Sequence, residues 1–261
     1  MKTEDKKIAV IGIGGVGGYV AGMLAKAYPQ VTMVARGARA ESIREKGLVL
    51  HSDYKGEIVA KPERVVPVRE MGQQDYIFIC VKNYSLAEVC ESIRDMVTED
   101  TVIIPVMNGV DPGEKIRALI KKGTVVDSLI YTVAFANSDF SISQQDTFTW
   151  LCIGIKDANE KQQEKVREVA EILKGADIDY RDEGDIQVEI WRKYILNCAF
   201  NVMTAFYDNT IGELRKDPVK AEQYERLVWE AASVGRAKGV ALTDEHINEV
   251  IHKFRHVHAD N

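Results

Sequence analysis

Lys193, Asn197 and Asn201 stand at four-residue intervals in the segment Glu189-Ile190-Trp191-Arg192-Lys193-Tyr194-Ile195-Leu196-Asn197-Cys198-Ala199-Phe200-Asn201. On a helix, positions i, i+4 and i+8 share one face. The other sides of this segment are apolar, through Ile190, Tyr194, Ile195 and Phe200, and polar groups in such a helix need partners. A lysine and two asparagines in line could protonate and hold a small, oxygen-rich molecule. The same row also fits a solvated stripe on a surface helix.

A second string, Gly12-Ile13-Gly14-Gly15-Val16-Gly17, spells G-x-G-x-x-G. Glycine-rich turns are common, and the setting decides what this one means. An apolar strand, Lys7–Ile11, runs into it; an amphipathic helix is expected after it; a second strand, Val31–Ala35, follows on schedule. There Gly12 permits the tight turn, Gly14 lets the backbone approach a pyrophosphate, and Gly17 allows close helix–strand packing. Ile13, Gly15 and Val16 complete the stretch expected to line the cofactor, and the helix N-terminus offers free N–H groups and a positive dipole. A glycine turn without a ligand is the alternative. At the end of the second strand, Ala35-Arg36-Gly37 carries no acid before Glu41, whereas an NAD site usually places Asp or Glu there. Arg36 would instead pair with a 2′-phosphate, whose oxygens suit a guanidinium fork, and Arg39 is a second cation close by. NADP is therefore the expected cofactor; the alternative is an arginine that caps the strand and faces water.

The elements that must position these residues alternate strand and helix. Lys7–Ile11, Val31–Ala35, Tyr76–Val81 and Thr101–Pro105 are continuous apolar runs, as suits parallel strands covered on both faces. Helices are expected between them at Gly15–Tyr28, Arg39–Lys46, Ser85–Met96 and Asp111–Lys121, a doubly wound α/β pattern. Thr124–Ile155 reads as antiparallel additions to the sheet edge, followed by a helix, Glu160–Leu173, and a short strand, Ile178–Arg181. From Asp185 onward strand signals vanish. Helices are expected at Asp185–Tyr207, Pro218–Lys238 and Asp244–His256, the last capped by Thr243 with His246 in the capping-box position. The boundary falls near Glu183–Gly184. Residues 1–183 form a cofactor domain and residues 184–261 an all-helical second domain, with a substrate expected in the cleft between them.

The chain has 261 residues, is 46% apolar and carries a net charge of −6 with both signs interspersed. That argues against nucleic acid or an anionic membrane as the main partner. Neither a signal peptide nor a run of about 20 apolar residues is found. The scattered Cys80, Cys90, Cys152 and Cys198 contain no C-x-x-C pair, which fits a reduced, cytoplasmic protein without structural zinc. His252, His256 and His258 could hold a metal adventitiously, but a frayed, solvated terminus is the reading adopted, with no metal in catalysis. A homodimer is left open.

The chain resembles the ketopantoate reductase (2-dehydropantoate 2-reductase) family across nearly its whole length. The resemblance is carried by the GIGGVGGY turn with Arg36 after strand two, Val81-Lys82-Asn83-Tyr84, Met107-Asn108-Gly109-Val110, the W-R-K-x-x-x-N-x-x-x-N helix and Ile211-Gly212-Glu213-Leu214. It implies a Rossmann domain followed by a helical domain of the 6-phosphogluconate dehydrogenase C-terminal type. It also implies NADPH-dependent reduction of ketopantoate to pantoate, on the route to pantothenate and coenzyme A. By that resemblance Lys193 is the general acid, and Asn197 and Asn201 hold the hydroxyl and carbonyl region of a small 2-oxo acid. Asn108 contacts cofactor and substrate, and Lys82 lies near the cofactor's ribose or phosphates; read from the residues alone, both could equally satisfy loop backbone at strand ends. The family continues into a segment with a substrate-binding serine and a glutamate. The sequence reads as C-terminally truncated, ending at Asn261 before that segment, and Ile211 stands where the family often has asparagine. A related 2-oxo acid reductase, a β-hydroxyacid dehydrogenase or a non-catalytic NADP-binding protein are the alternatives.

Overall fold

The apolar runs form strands whose side chains are covered on both faces: Ile8–Ile11, Val31–Val34, Tyr76–Ile79 and Val102–Pro105 are buried throughout. The structure is a computed structural model that describes residues 5–183 and 185–256. Two compact units divide it, Met1–Ile186 and Gln187–Asn261.

In the first unit the chain order is β1 (Ile8–Ile11), α1 (Gly15–Ala27), β2 (Val31–Val34), α2 (Gly37–Lys46), β3 (Leu48–Ser52), β4 (Gly56–Ala60), β5 (Arg64–Val66) and β6 (Tyr76–Ile79). There follow α3 (Leu86–Ile93), β7 (Val102–Pro105), α4 (Pro112–Leu119), β8 (Thr124–Val125), β9 (Asp127–Ala136), β10 (Ile142–Gly154), α5 (Glu160–Gly175) and β11 (Asp179–Asp182). Among the described residues one sheet has six parallel strands in the order β5-β2-β1-β6-β7-β8. Counted within that sheet, the order is 3-2-1-4-5-6, the doubly wound arrangement whose direction of winding reverses between β1 and β6. Ile8 is in register with Val31 on one side and Tyr76 on the other.

Two sequence expectations need correction. Thr124–Ile155 does not extend the parallel sheet with antiparallel strands. Only β8 joins that sheet, parallel to β7, while β9 and β10 form a hairpin in a second, five-stranded sheet with β3, β4 and β11. β10 can serve two partners because it is long: Ile142–Gln144 pairs with β3 and Trp150–Ile153 with β11, on either side of a register shift. Nor is α1 amphipathic: Gly17–Leu24 is buried throughout, because the second sheet covers the face that would otherwise meet water. The approach is close at Gly15, where a Cβ would lie 2.2 Å from the Ala134 carbonyl oxygen, and at Gly18, where it would lie 2.4 Å from the Ile142 side chain.

Asp127 is buried at the start of β9, and both its carboxylate oxygens, Oδ1 and Oδ2, accept from Arg117 Nη2, at 3.0 and 2.8 Å. Burial raises its pKa against the opposing pull of Arg117. The folded carboxyl therefore keeps its proton to higher pH than the unfolded one. Its contribution to stability is fully present below the unfolded value, near 3.9, and is lost as pH rises through the folded value. Arg117 is 42% exposed and can turn to water, but Asp127 at 6% cannot. Arg117→Leu is thus expected to cost about 3–5 kcal/mol at neutral pH and to steepen the fall with rising pH. Asp127→Asn should cost only about 1–2 kcal/mol and flatten that dependence. Urea unfolding at mildly acidic and neutral pH checks both; equal losses would contradict the asymmetry.

The second unit holds α6 (Ile186–Tyr207, entered from the first unit), α7 (Ile211–Lys216), α8 (Pro218–Ala237) and α9 (Asp244–His256). α7 is short and escaped the sequence reading, although Thr210-Ile211-Gly212-Glu213 spells a capping box that the structure forms in full. Trp191 of α6 packs on Gly235 of α8, and Tyr224 stacks on Phe254 at 3.8 Å. At the start of α9, Thr243 N donates to His246 Nδ1 and His246 N donates to Thr243 Oγ1, so histidine replaces the usual acid in the box. The rings of His252 and His256 stack at 4.0 Å; His258 and Gly184 lie outside the described residues. Among the described residues no His/Cys/Asp/Glu group could hold a metal, and no helix is long and apolar enough to cross a membrane. A Rossmann-type sheet followed by a helical unit is the expected fold class.

Candidate active site

Gly12 follows β1 with φ +93°, a left-handed conformation that glycine adopts without strain, and a Cβ there would meet the Val81 side chain at 2.8 Å. Gly17 lies so close beneath the turn that its Cβ would stand 1.9 Å from the Gly12 carbonyl oxygen and 2.7 Å from Cys80 Cβ. Gly14 differs from both. It is the N-cap of α1, makes no side-chain cap, and a Cβ there would meet nothing within 4 Å. The first turn of α1 carries no acid and the space over Gly14 is open, so an anion approaching this helix N-terminus there would meet no negative side chain of that turn. Ile13 is buried and Val16 half-buried, both packing into the core. Gly15 sits against β9.

Parallel strands end on the same edge of the sheet, so the residues that follow β2, β1, β6 and β7 share that edge. Arg36, Gly12–Gly17, Lys82 and Asn108 are these residues, spread over three strand spacings, about 14 Å. Open α/β sheets bind ligands at this edge beside the reversal of winding. Arg36 is exposed at the N-cap of α2. Lys82 is exposed at the start of a 3-10 turn, and its carbonyl accepts from Ser85 N at 2.9 Å. Asn108 is exposed and precedes Gly109, which has φ +123°. Its neighbour in the cluster, Asn83, accepts from Lys115 Nζ at 3.1 Å. An open glycine cradle, beside Arg36 and Lys82, which make no ion pair among the described residues, fits the phosphates of a dinucleotide. Cys80, beneath the turn, has its thiol pKa pushed up to about 12 by burial, so it is a neutral packing group there.

In the second unit Lys193, Asn197 and Asn201 do share one face of α6. At about 100° per residue they lie opposite the buried seam of Trp191, Ile195 and Ala199. Lys193 and Asn197 are half-buried and Asn201 is exposed. Asn201 opens into a pocket of roughly 620 Å³ lined also by Thr204, Ala205, Asp208, Asn209, Thr210 and Glu213. Bonds from the Thr210 backbone and hydroxyl hold the Glu213 carboxyl below the usual carboxylate range. Sequence reasoning missed this pocket: its lining spans the α6–α7 connection, and only the helix turn after Tyr207 brings it together.

A Rossmann unit followed by a helical unit defines a class of dinucleotide-dependent oxidoreductases. The chain belongs to the ketopantoate reductase family: residues 8–157 match the family described as ketopantoate reductase PanE/ApbA, and residues 185–261 match its C-terminal domain. These are NAD(P)-dependent reductases of small keto acids. Among relatives, an uncharacterized oxidoreductase of Bacillus subtilis (strain 168), YkpB, is 30% identical over 234 residues, covering 90% of this chain and 76% of that protein. A 2-dehydropantoate 2-reductase of Mesorhizobium japonicum is 27% identical over 255 residues, covering 90% and 77%. The crystal structure of 2-dehydropantoate 2-reductase from Porphyromonas gingivalis W83 superposes with a TM-score of 0.85 at 29% identity, covering 96% of this chain and 88% of that one.

Proposed function

We propose that the protein is a cytoplasmic, NADPH-dependent 2-dehydropantoate 2-reductase that converts ketopantoate to pantoate in the supply of pantothenate and coenzyme A. Residues 1–183 bind the cofactor, and residues 184–261 contribute substrate-binding and proton-donating groups. The observation that carries this reading is the Lys193–Asn197–Asn201 row, aligned on one face of α6 and half-buried at its first two positions.

Gly12–Gly17 would hold the cofactor's pyrophosphate, Arg36 its 2′-phosphate, Lys82 its ribose or phosphates, and Asn108 would contact both cofactor and substrate. When bound, the nicotinamide supplies the hydride to the ketone carbon. Lys193 Nζ donates a proton to the ketone oxygen, and its ammonium stabilises the alkoxide as charge develops. Asn197 and Asn201 carry both donors and acceptors in their carboxamides, which suits the hydroxyl and carbonyl groups of the substrate.

NADPH oxidation by the chain, followed with ketopantoate and with other branched 2-oxo acids, tests the assignment. Turnover with ketopantoate is expected, with NADPH preferred over NADH. Arg36→Ala should reduce that preference by at least about tenfold, the worth of a charge-assisted phosphate contact. Absence of ketopantoate turnover sinks the substrate claim, and an unchanged cofactor ratio in Arg36→Ala sinks the role of Arg36. A related 2-oxo acid reductase is the second reading, since the pocket at Asn201 is wide and open to solvent. Faster turnover of a bulkier 2-oxo acid would select that reading.

A further inference from the structure

Two arginines at the start of α2 carry charges that no carboxylate neutralises among the described residues. Among the described residues neither Arg36 nor Arg39 makes an ion pair or a hydrogen bond, and Arg39 Nη1 is buried without an acceptor. Orphaned buried donors of this kind are uncommon and costly. Arg39 is nevertheless held in place, its guanidinium carbon 5.1 Å from the centroid of the Phe140 ring. A cation–π contact of this sort favours one position of the guanidinium while using none of its donors.

Phe140 is itself held unusually. It sits in the β9–β10 turn with φ +71°, which a phenylalanine rarely adopts. The turn is fastened by Phe140 N donating to Asn137 O, Asn137 N to Ser141 O, and Ser141 N and Oγ to Asp139 Oδ1. Asn137 Nδ2 donates further to Ser141 Oγ and Ser143 Oγ. Lys46 Nζ donates to Asp139 O at 3.4 Å, tying the turn to the other end of α2. The second sheet thus delivers an aromatic ring to the first turn of α2. That turn has no acidic residue and no side-chain cap, and Arg36 and Arg39 are spaced i, i+3, so they neighbour each other on its surface.

We propose that Arg39, oriented by Phe140, is a second arm of the adenosine 2′-phosphate site, working beside Arg36. The proposal rests on the NADP reading above. A phosphate dianion can take two guanidinium forks at once, and an arginine pre-set by stacking loses less freedom when it binds.

NADPH and NADH dissociation constants, read by cofactor fluorescence on the whole chain, test this. Arg39→Gln is expected to weaken NADPH about tenfold and leave NADH within about twofold. Phe140→Leu should weaken NADPH about threefold in the same direction, and Arg39→Lys should restore part of the loss by keeping charge without the fork. In thermal melts 2′,5′-ADP should protect the wild type more than 5′-AMP, with the difference shrinking in Arg39→Gln. Equal weakening of NADPH and NADH by Arg39→Gln would assign Arg39 to fastening the hairpin and overturn the proposal. An unaltered ratio in Arg39→Gln, with Arg36→Gln removing the preference, overturns it while the NADP reading stands. Loss in Arg39→Gln without any in Phe140→Leu overturns the orienting role of the ring. A wild type that binds NADH as tightly as NADPH overturns the NADP reading, and this proposal with it.

Discussion

Lys193→Ala is expected to lower kcat for 2-oxo acid reduction by about 10²–10⁴-fold, the usual worth of a positioned general acid, while NADPH affinity stays within about twofold. The separation follows from where the lysine stands. The seam that holds α6 in its unit runs through Trp191, Ile195 and Ala199, each buried, with Trp191 wedged on Gly235. Truncating a half-buried side chain on the opposite face leaves that seam intact, so the helix should survive. The residues proposed to hold the nucleotide belong to the other unit, which leaves cofactor affinity as an internal control. Asn201→Ala should act differently, raising KM more than it lowers kcat, because it removes binding shared by ground and transition states. A kcat within about threefold of wild type in Lys193→Ala would remove the lysine from proton transfer and favour a non-catalytic NADP-binding protein.

Two single-methyl changes in the glycine turn should have opposite signatures. In Gly17→Ala the new carbon must displace backbone, since the Gly12 carbonyl oxygen would lie 1.9 Å away. A cost of about 3 kcal/mol is expected, seen as a melting temperature lower by roughly 6–12 °C. In Gly14→Ala the backbone is extended (φ −93°, ψ −157°) and no atom lies within 4 Å of the added carbon. Stability should hold or rise slightly through the less flexible unfolded chain. NADPH affinity should nevertheless fall about a hundredfold, or about 2.7 kcal/mol, because the methyl occupies the close approach a pyrophosphate needs. Calorimetry and fluorescence titration together read both. Wild-type affinity in Gly14→Ala would mean that no phosphate sits over that residue.

The parallel sheet was legible because strands buried on both faces must be apolar without interruption, and β1, β2, β6 and β7 are. The β3–β4 hairpin hid because it is only half-buried: Glu57 and Val59 face solvent, and His51 meets Glu57 at 2.5 Å. Alternation over five residues, broken by Asp53-Tyr54-Lys55, is a faint signal beside a helix-length stretch. For the candidate site, the glycine turn and Arg36 could be read because their neighbours in sequence are also their neighbours in space. The Arg39–Phe140 stack joins residues 101 positions apart (140 − 39), and no local pattern encodes it. α7 carries its capping box, but its 6 residues are too few for the apolar periodicity of a helix to show.

The burial of α1 between two sheets bears on how this protein can be dissected. With Gly15 against the Ala134 carbonyl and Gly18 against Ile142, the middle of α1, Gly17–Leu24, has no face of its own to offer water. A fragment trimmed to the six-stranded sheet would expose an apolar, glycine-notched surface and invite aggregation. The smallest portable form of this first unit therefore runs through β11 and includes the hairpin carrying Phe140. Foreign loops inserted into the second sheet are expected to shift α1, and with it the proposed cofactor site, from behind.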